Sequence, residues 1–344
     1  MTPVAQLPYY AYGAMRGIER IRVDLKSEDG IRIVKHLVER ADVFIEGMRP
    51  GTADRLGLGY DALSPHNPGL VYCSATGYGQ TGPYAGWAGH DLNYLAVSGF
   101  LATSGRTSTG EPALPGATVA DAAGGGLHAA LAIVSALFAR HATGKSQYLD
   151  VAATDGMVGV MSINIDESLA TGVTVTPGHG ILTGRYACYK CYECSDGGYV
   201  AVGAIETKFF ANLCHALDIA AWIPFQYDDA SQPDLADTLR QIFATRSRDE
   251  WVADLGDRDA CVSPVLSVDE VANDPQVAAR RLIATATSAE HGVWRQVGPV
   301  LAGAARSEGA VAVAAEPNCT DQILRELGYG RSRITDLKSR GVTN

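Results

Sequence analysis

The sequence has no excess of positive charge. Its 28 lysine and arginine residues are outnumbered by 38 aspartate and glutamate residues, which gives a formal net charge of -10 at pH 7. Proteins that bind nucleic acid neutralise phosphates with a basic surface, so this composition argues against a nucleic-acid partner. An anionic small ligand would need a local cluster of basic side chains on an acidic background.

The chain also has little that is typical of exported or membrane proteins. Its 7 cysteines are an odd number scattered through 344 residues, which suits a reducing cytosol better than a disulfide framework. No basic stretch leads into an apolar run at the N-terminus, and the apolar stretch 127–139 is too short to span a bilayer. We therefore expect a soluble, cytoplasmic protein with no membrane span.

What is present is the pattern of a large α/β protein. Alternating polarity over Ile21–Leu25 predicts a strand, the apolar face of Ile31–Val38 predicts a helix, and Val43–Ile45 predicts a second strand. This order indicates a β-α-β unit of a parallel sheet, which binds ligands near the carboxyl ends of its strands. Lys26 after the first strand, and Arg49 and Arg55 after the second, are candidates for pairing with phosphates.

Further patterns predict the rest of the architecture. A chain of 344 residues exceeds a single core, so we expect a large α/β domain from 1–170 and 281–344, with a small domain, 171–280, inserted in it. The further elements that we predict are strands at 70–73, 186–193 and 199–204, a helix from Leu127 to about His141 after a glycine triplet, an amphipathic helix at 235–255 and a last helix at 321–327.

Two residues are candidates for proton transfer. His90 lies in the segment Gly89–Tyr94, and an imidazole can give or accept a proton near neutral pH. Asp121 comes just before the glycine-rich start of the predicted helix, where unpaired N–H groups favour developing negative charge. Such a carboxylate could deprotonate a carbon beside a carbonyl while the N–H groups hold the enolate oxygen. Spacing alone leaves open that Asp121 is a helix N-cap or turn residue and His90 a polar loop residue.

The cysteines at 188, 191 and 194 have a spacing that can indicate a metal site. Cys188 and Cys191 fall in the predicted strand 186–193, where an odd spacing places them on opposite faces. They could not share one ion in that arrangement. We therefore predict that the protein has no metal site.

Several segments together resemble the class III CoA-transferase superfamily (CaiB/BaiF type), and most of all its α-methylacyl-CoA racemases. Residues 89–99 are similar to the corresponding racemase segment, and Asp121 with the glycines after it matches the family's catalytic aspartate. Other segments with family-like sequences are 46–51, 55–59, 140–156, 202–206 and 259–265. The resemblance extends from about Arg16 to Gly328, almost the whole chain.

The resemblance implies the family III CoA-transferase fold: an α/β protein with a Rossmann-like large domain and a smaller α+β domain, assembled as an interlocked homodimer. It implies an acyl-CoA substrate and no cofactor beyond the CoA moiety. The positions matching CoA contacts of the family are Val23, Asp24, Leu25, Lys26, Gly47, Met48, Arg49, Arg55, Gly89, His90, Asp91, Leu92, Asn93 and Tyr94.

The resemblance also implies catalytic roles. Family racemases use the aspartate and the histidine of the Gly-His-Asp motif as two bases, and Glu206 matches the residue that partners this histidine. His90 therefore favours a racemase or epimerase of 2-methyl-branched acyl-CoA thioesters, with His90, Asp121 and Glu206 as its catalytic residues. One alternative is a CoA-transferase in which Asp121 is the nucleophile of an aspartyl-CoA intermediate. Another is an inactive, shortened CoA-binding relative.

The N-terminus departs from the family pattern. Racemases of this kind begin with a strand, a loop and a helix that bind part of the CoA nucleotide, and Leu7–Tyr12 stands in their place here. We therefore expect a large domain that is shortened at its N-terminus and has an exposed sheet edge.

Overall fold

The computed structural model of the chain describes residues 9–13, 15–306, 309–313 and 318–344. The helices are α1 Tyr9–Gly13, α2 Glu28–Val38, α3 Thr52–Arg55, α4 Tyr60–Leu63, α5 Asp91–Val97, α6 Phe100–Thr103, α7 His128–Thr143, α8 Ala153–Val160, α9 Ser162–Thr171, α10 Thr207–Ala216, α11 Gln232–Phe243, α12 Arg248–Leu255, α13 Val268–Val271, α14 Pro275–Ala279, α15 Thr320–Glu326 and α16 Arg331–Ser339. A π-helical segment, Ala120–Leu127, leads into α7, and 3-10 turns lie at Ile181–Thr183, Ala220–Phe225 and Asp229–Ser231.

The strands are β1 Val43–Glu46, β2 Val71–Thr76, β3 Gln147–Ala152, β4 Tyr189–Glu193, β5 Tyr199–Gly203, β6 Val262–Val265, β7 Ile283–Ser288, β8 Gly292–Val297 and β9 Val311–Ala312. They form three sheets, ordered β1-β2-β3, β4-β5-β6 and β8-β7-β9. The mixed α/β class predicted from the sequence is confirmed.

The sheet that supports the candidate site is parallel. Val43 pairs with Val71, and Val71 pairs with Gln147, so β2 is the central strand. Leu70 to Cys73 are fully buried, because the central strand of a parallel sheet is covered on both faces. The predicted strands at 43–45 and 70–73 and the predicted helix at 31–38 are confirmed. β3 was not predicted.

The strand predicted at Ile21–Leu25 is wrong. Within the described residues, this segment makes one isolated bridge, from Val23 to Thr343, and Arg20 just before it makes another to Asn318. The alternation of polarity identified an extended chain correctly, but its backbone partners lie near the other end of the sequence and not in the parallel sheet. Lys26 therefore does not follow a strand of that sheet, and the argument from strand ends does not apply to it.

The helix around Asp121 begins earlier than predicted. Ala120–Leu127 is already helical, so the glycine triplet lies inside the helix and does not open it. Gly144 ends α7 in the left-handed conformation, as its sequence position predicted. Among the described residues, the helix Ala120–Thr143 is the one that is long and apolar enough to cross a membrane, by length and composition only. It contains Asp121, and its α7 part contacts β2 and β3.

The chain divides into two compact units: one comprises Met1–Leu101, Ala113–Val173 and Arg281–Asn344, and the other comprises Ala102–Pro112 and Thr174–Arg280. In the smaller unit, the antiparallel sheet β4-β5-β6 and helices α10 to α12 enclose a core that includes Phe210, Leu239 and Trp251. The helix predicted at 235–255 is two helices, because Ser247 and Glu250 form a capping box that starts α12.

The C-terminal part of the chain belongs to the larger unit. Helix α15 confirms the predicted helix at 321–327, but α16 follows it and packs Ile334 and Leu337 against Ile33 of α2. Of the segment Leu7–Tyr12, residues 7 and 8 lie outside the described residues. Tyr12 is buried and its ring contacts Trp294.

Candidate active site

His90 is held by the start of helix α5. It occupies the N-cap position with an extended backbone, and Asn93 Oδ1 accepts a hydrogen bond of 3.0 Å from the His90 N–H. The Asn93 N–H in turn donates to the carbonyl oxygen of His90 over 2.8 Å. Because both bonds use the backbone of His90, its imidazole is exposed at the helix end and is not consumed by capping.

Tyr94 fixes the loop that precedes His90. Its phenol donates a hydrogen bond of 2.6 Å to the carbonyl oxygen of Gly89, and its ring fills the space beside Gly77. A Cβ at Gly77 would lie 2.2 Å from that ring, so a residue larger than glycine would displace it. Burial raises the pKa of the Tyr94 phenol, with the charge of Asp121 as the next cause, so the hydroxyl keeps its proton.

Asp121 is the second residue of the π-helical segment. Its backbone N–H donates a hydrogen bond of 2.9 Å to Oδ1 of Asp91, the first residue of α5. The pKa of the Asp121 carboxyl group is raised, first because protein atoms around it displace water and next because Asp91 is negatively charged. The charge of His90 acts in the opposite direction but does not cancel this increase. A raised pKa makes the carboxylate a stronger base than an ordinary aspartate.

The N–H groups next to Asp121 are not available to an enolate, contrary to the sequence prediction. The Asp121 N–H is bound to Asp91, and the Ala122 N–H donates to the carbonyl oxygen of Thr118 over 3.1 Å. The prediction failed because the chain is already helical from Ala120, and Asp91 and Thr118 accept the hydrogen bonds of these two N–H groups.

His90 and Asp121 line one open pocket of about 1030 Å³ in the larger unit. The walls are formed by the ends of β1 and β2, the loop 77–89 and one face of the helix that contains Asp121. Close to Asp121 this helix presents only small residues, such as Gly126 and Ala130, and further along it presents Ile133 and Val134. The pocket can therefore hold an apolar group beside an imidazole and a carboxyl group.

The predicted contact residues divide between the pocket and other places. Gly47, Met48, Arg49, Gly89, His90, Asn93, Tyr94 and Asp121 line it. Val23, Asp24, Leu25, Lys26, Arg55, Asp91 and Leu92 are not among its lining residues, and the Arg55 guanidinium donates to Thr52 Oγ1 over 2.8 Å. Glu206 belongs to the smaller unit, where it is the N-cap residue of α10 and is exposed.

Arg49 lies between the large pocket and a smaller polar pocket of about 240 Å³. The smaller pocket is lined by the buried carboxylate of Glu46, whose Oε2 accepts a hydrogen bond of 2.7 Å from the Met48 N–H. This bond fixes the chain just after β1. The exposed Arg49 side chain is thereby presented at the carboxyl end of a parallel strand, where phosphates commonly bind.

Aromatic side chains of the loop before His90 were missed. Trp87 stacks on Tyr84 with ring centroids 4.0 Å apart, and Tyr78 contacts both of these rings and Tyr94 at near-perpendicular angles. Tyr78 and Trp87 line the pocket, although 57% of Trp87 is exposed. Their occurrence in a glycine-rich loop was the available signal, because exposed aromatic rings in loops often contact ligands.

Of the two cysteines predicted to lie in the strand 186–193, only Cys191 lies in the observed strand. Cys188 precedes strand β4 and is buried, as is Cys194, whereas Cys191 is exposed on the strand. Across the described ranges, no group of three or more histidine, cysteine, aspartate or glutamate side chains is placed to hold a metal ion.

Comparison with known proteins identifies the family. The model of CoA-transferase family III matches residues 2–321, so the chain belongs to that family. The chain is 33% identical over 329 residues to the α-methylacyl-CoA racemase of Mus musculus, with 94% of this chain and 84% of the relative covered. It is 29% identical over 346 residues to the succinyl-CoA:glutarate CoA-transferase of Homo sapiens, covering 97% and 77%.

Solved structures agree with this assignment. A CaiB/BaiF family protein from Brucella suis superposes with a TM-score of 0.75 at 30% sequence identity, with 92% of this chain and 84% of that chain covered. The resemblance inferred from the sequence motifs is thus confirmed at the level of the family, which includes both racemases and transferases.

Proposed function

We propose that the protein is an acyl-CoA racemase or epimerase that inverts the α-carbon of 2-methyl-branched acyl-CoA thioesters. The observation that carries this proposal is that His90 and Asp121 line the same pocket, so one bound carbon can face two proton-transferring groups. The raised pKa of Asp121 adds support, since a stronger base removes the weakly acidic α-proton more readily.

In the proposed reaction, one group removes the α-proton and the thioester becomes an enolate. The other group then delivers a proton to the opposite face, and the two exchange roles when the substrate has the other handedness. Glu206 is proposed as a third catalytic residue, because its segment, 202–206, has a family-like sequence. The enolate oxygen would need donors other than the N–H groups of Asp121 and Ala122, which are bound within the protein.

The CoA moiety is proposed to bind along Gly47–Arg49, with Arg49 pairing with a phosphate group. The apolar face of the helix around Ala130 and Ile133 would then contact the acyl group or the pantetheine arm. No cofactor beyond the CoA moiety is required by this reaction, because the proton removed and the proton delivered both pass through side chains.

The decisive measurement is deuterium uptake at the α-carbon in heavy water, with each purified epimer of a 2-methylacyl-CoA as substrate. The wild-type protein should produce both epimers with deuterium at that carbon. Asp121→Asn and His90→Ala should each reduce inversion by about 10²-fold or more, the usual contribution of a general acid or base. His141→Ala, in the last turn of α7, is the control and should leave inversion unchanged.

Each single variant still has one base and can exchange the α-proton of at most one epimer without inverting it. If one variant exchanges the α-proton of one epimer for deuterium and the other variant does so with the opposite epimer, each residue is assigned to one face of the carbon. Protium retained in both epimers, by protein that still binds acyl-CoA, would refute the proposed reaction.

A CoA-transferase is the second candidate, because the chain is also similar to the human succinyl-CoA:glutarate CoA-transferase. Asp121 would then attack the thioester carbonyl and release CoA thiolate, which leaves an acyl aspartyl anhydride. The thiolate would attack the aspartyl carbonyl of this anhydride, so that an aspartyl-CoA thioester forms and the acyl group leaves as a carboxylate. Hydroxylamine added during turnover with an acyl-CoA and a free acid should trap this residue as a hydroxamate. Binding of acyl-CoA with neither exchange nor transfer would instead identify a non-catalytic relative.

A homodimer is also proposed. On the helix containing α7, the side chains of Leu127, Leu131 and Phe138 are 70%, 67% and 83% exposed and recur at helical spacing on one face. An apolar face of this kind commonly marks an interface. Light scattering should give the mass of a dimer for the wild type and of a monomer for Phe138→Glu. Val268→Glu, at a residue 91% exposed in the smaller unit, is the matched control.

A further inference from the structure

We propose that Asp91 is a positioning residue that fixes Asp121 relative to His90 through its hydrogen bond to the Asp121 backbone. This assignment rests on the proposed function, because it concerns the same two reacting groups. It differs from the role predicted for Asp91 from the sequence, which was contact with CoA, and Asp91 is not among the residues that line the pocket.

The geometry gives the first argument. Asp91 directly follows His90 in the chain, and its Oδ1 accepts the Asp121 N–H over 2.9 Å although the two residues are 30 positions apart. The backbone of His90 is itself held at the start of α5 by Asn93. A single carboxylate therefore ties the helix start that carries His90 to the helical turn that carries Asp121. This connection is one of the restraints on the separation of the two proposed reacting groups.

The charge of Asp91 gives the second argument. Protein atoms around Asp121 contribute most to the raised pKa of its carboxyl group, and the negative charge of Asp91 contributes next in the same direction. Asp91 thus holds the residue in place and makes it more basic at the same time. A neutral residue of the same shape would retain the hydrogen bond and remove the second effect.

Other ionisable groups surround this turn and must be considered in any pH profile. Helix α5 contributes His90 and Tyr94, and both interact electrostatically with Asp121. The elements packed against the turn carry further groups: Asp155 in α8, His128 at the start of α7, and Tyr148 and Asp150 in β3. None of these is altered in the variants below, so differences between variants report on Asp91.

The alternative is that Asp91 merely stabilises α5 as an acidic residue in its first turn. That effect would stabilise the helix and would not act on the chemical step. Asp234 is likewise an acidic residue in the first turn of its helix, α11, in the smaller unit. Asp234→Ala therefore serves as the control for a purely helical effect.

The test compares Asp91→Ala, Asp91→Asn and Asp234→Ala in the full chain. Asp91→Ala should lower kcat for α-proton exchange about tenfold or more with KM changed less than about twofold, since misplacement of a reacting group acts on the chemical step. Asp91→Asn keeps an oxygen acceptor and should restore most of that loss. In the pH profile of kcat, the acidic limb of Asp91→Asn should also lie at lower pH than that of the wild type. Equal small effects of all three substitutions, or a change in KM alone, would overturn the proposal.

An independent readout separates this inference from the proposed function. The Asp121 carboxyl group can be titrated by carbon NMR in protein labelled at the aspartate side chains, with Asp121→Asn used to assign its signal. The pKa of Asp121 should fall in both Asp91 variants, whatever reaction the protein catalyses. If the wild type shows no α-proton exchange, the proposed reaction fails, but this titration still tests the role of Asp91. A pKa of Asp121 that is unchanged in both Asp91 variants would refute that role.

Discussion

Gly156 of helix α8 packs directly against the backbone of Gly124, which lies in the helical turn after Asp121. A Cβ at Gly156 would lie 2.2 Å from the carbonyl oxygen of Gly124, and a Cβ at Gly124 would lie 2.4 Å from the carbonyl oxygen of Ala153. Both obstructing atoms belong to the backbone and cannot rotate away. The position of the Asp121 turn is therefore set by a contact that only glycine permits on both sides.

Gly156→Ala is expected to destabilise the protein and to displace the Asp121 turn. Overpacking of this kind costs about 1–3 kcal/mol of unfolding free energy. We expect that loss in urea unfolding, together with a reduced kcat. Gly159→Ala is the matched control, since it lies in the same helix with nothing within 4 Å of the added Cβ. It should stabilise by about 0.4–1 kcal/mol, and equal stability of the two variants would contradict the close contact.

Asp121→Asn is expected to make the folded protein more stable at neutral pH, although it reduces the proposed inversion. The pKa of Asp121 is raised above its ordinary value of 3.8, so the folded protein holds this proton more tightly than the unfolded chain does. That contribution to stability is fully present below pH 3.8 and is lost as the pH rises through the raised pKa. In thermal unfolding, the Tm of Asp121→Asn should lie above that of the wild type at pH 7, and the difference in Tm should shrink toward pH 4. A less stable variant at pH 7 would show that the environment favours the carboxylate.

Trp87→Ala is expected to weaken acyl-CoA binding about tenfold, equivalent to about 1.4 kcal/mol. The indole lines the pocket and is held in place by its stacking on Tyr84, so it offers a ligand a flat apolar surface that is already ordered. Trp87→Phe retains an aromatic ring and should recover most of the affinity. Calorimetric titration gives both constants, and unchanged binding by the alanine variant would exclude contact between Trp87 and the ligand.

Glu270→Gln is expected to alter the acid stability of the smaller unit. The two guanidinium nitrogens of Arg248 donate to the two carboxylate oxygens of Glu270 over 2.9 and 2.7 Å, and this pairing lowers the pKa of Glu270 to about 2. The depressed pKa contributes stability above the ordinary value of 4.5, and this contribution is lost as the pH falls from there toward 2. In urea unfolding between pH 5 and 2.5, the free energy of unfolding of Glu270→Gln should therefore fall less steeply with decreasing pH than that of the wild type. Asp166→Asn, at an exposed residue of α9, should retain the slope of the wild type.

Local patterns predicted the elements whose partners are close in the sequence. Helix α2 and strands β1 and β2 follow from apolar periodicity, because each buries a face that its own residues define. The segment Ile21–Leu25 failed because a strand also needs a neighbour, and its one bridge, like that of Arg20 just before it, depends on a residue near the other end of the chain. The break before α12 was available from the Ser247 and Glu250 spacing, which is a helix-start signal that the apolar pattern obscured.

The sequence motifs predicted which residues belong to the candidate site but not the contacts between them. Family-like segments placed His90 and Asp121 among the catalytic candidates, but no periodicity links two residues 31 positions apart. The bond between Asp91 and the Asp121 backbone is invisible in the sequence, since any residue at 121 supplies the same N–H. The availability of free N–H groups was also mispredicted. It depends on where the helix begins, and the sequence did not locate that start to within one turn.

The N-cap arrangement of His90 has a consequence for how this scaffold can change its chemistry. Helix α5 is secured by the backbone atoms of His90 and by the side chain of Asn93, so the start of the helix makes no demand on the imidazole itself. A different side chain at position 90 would have the same backbone placement in the pocket that Asp121 also lines. The fold thus separates the support of this helix start from the identity of the side chain at position 90, so a single substitution there could change the chemistry of the pocket without a cost in helix stability.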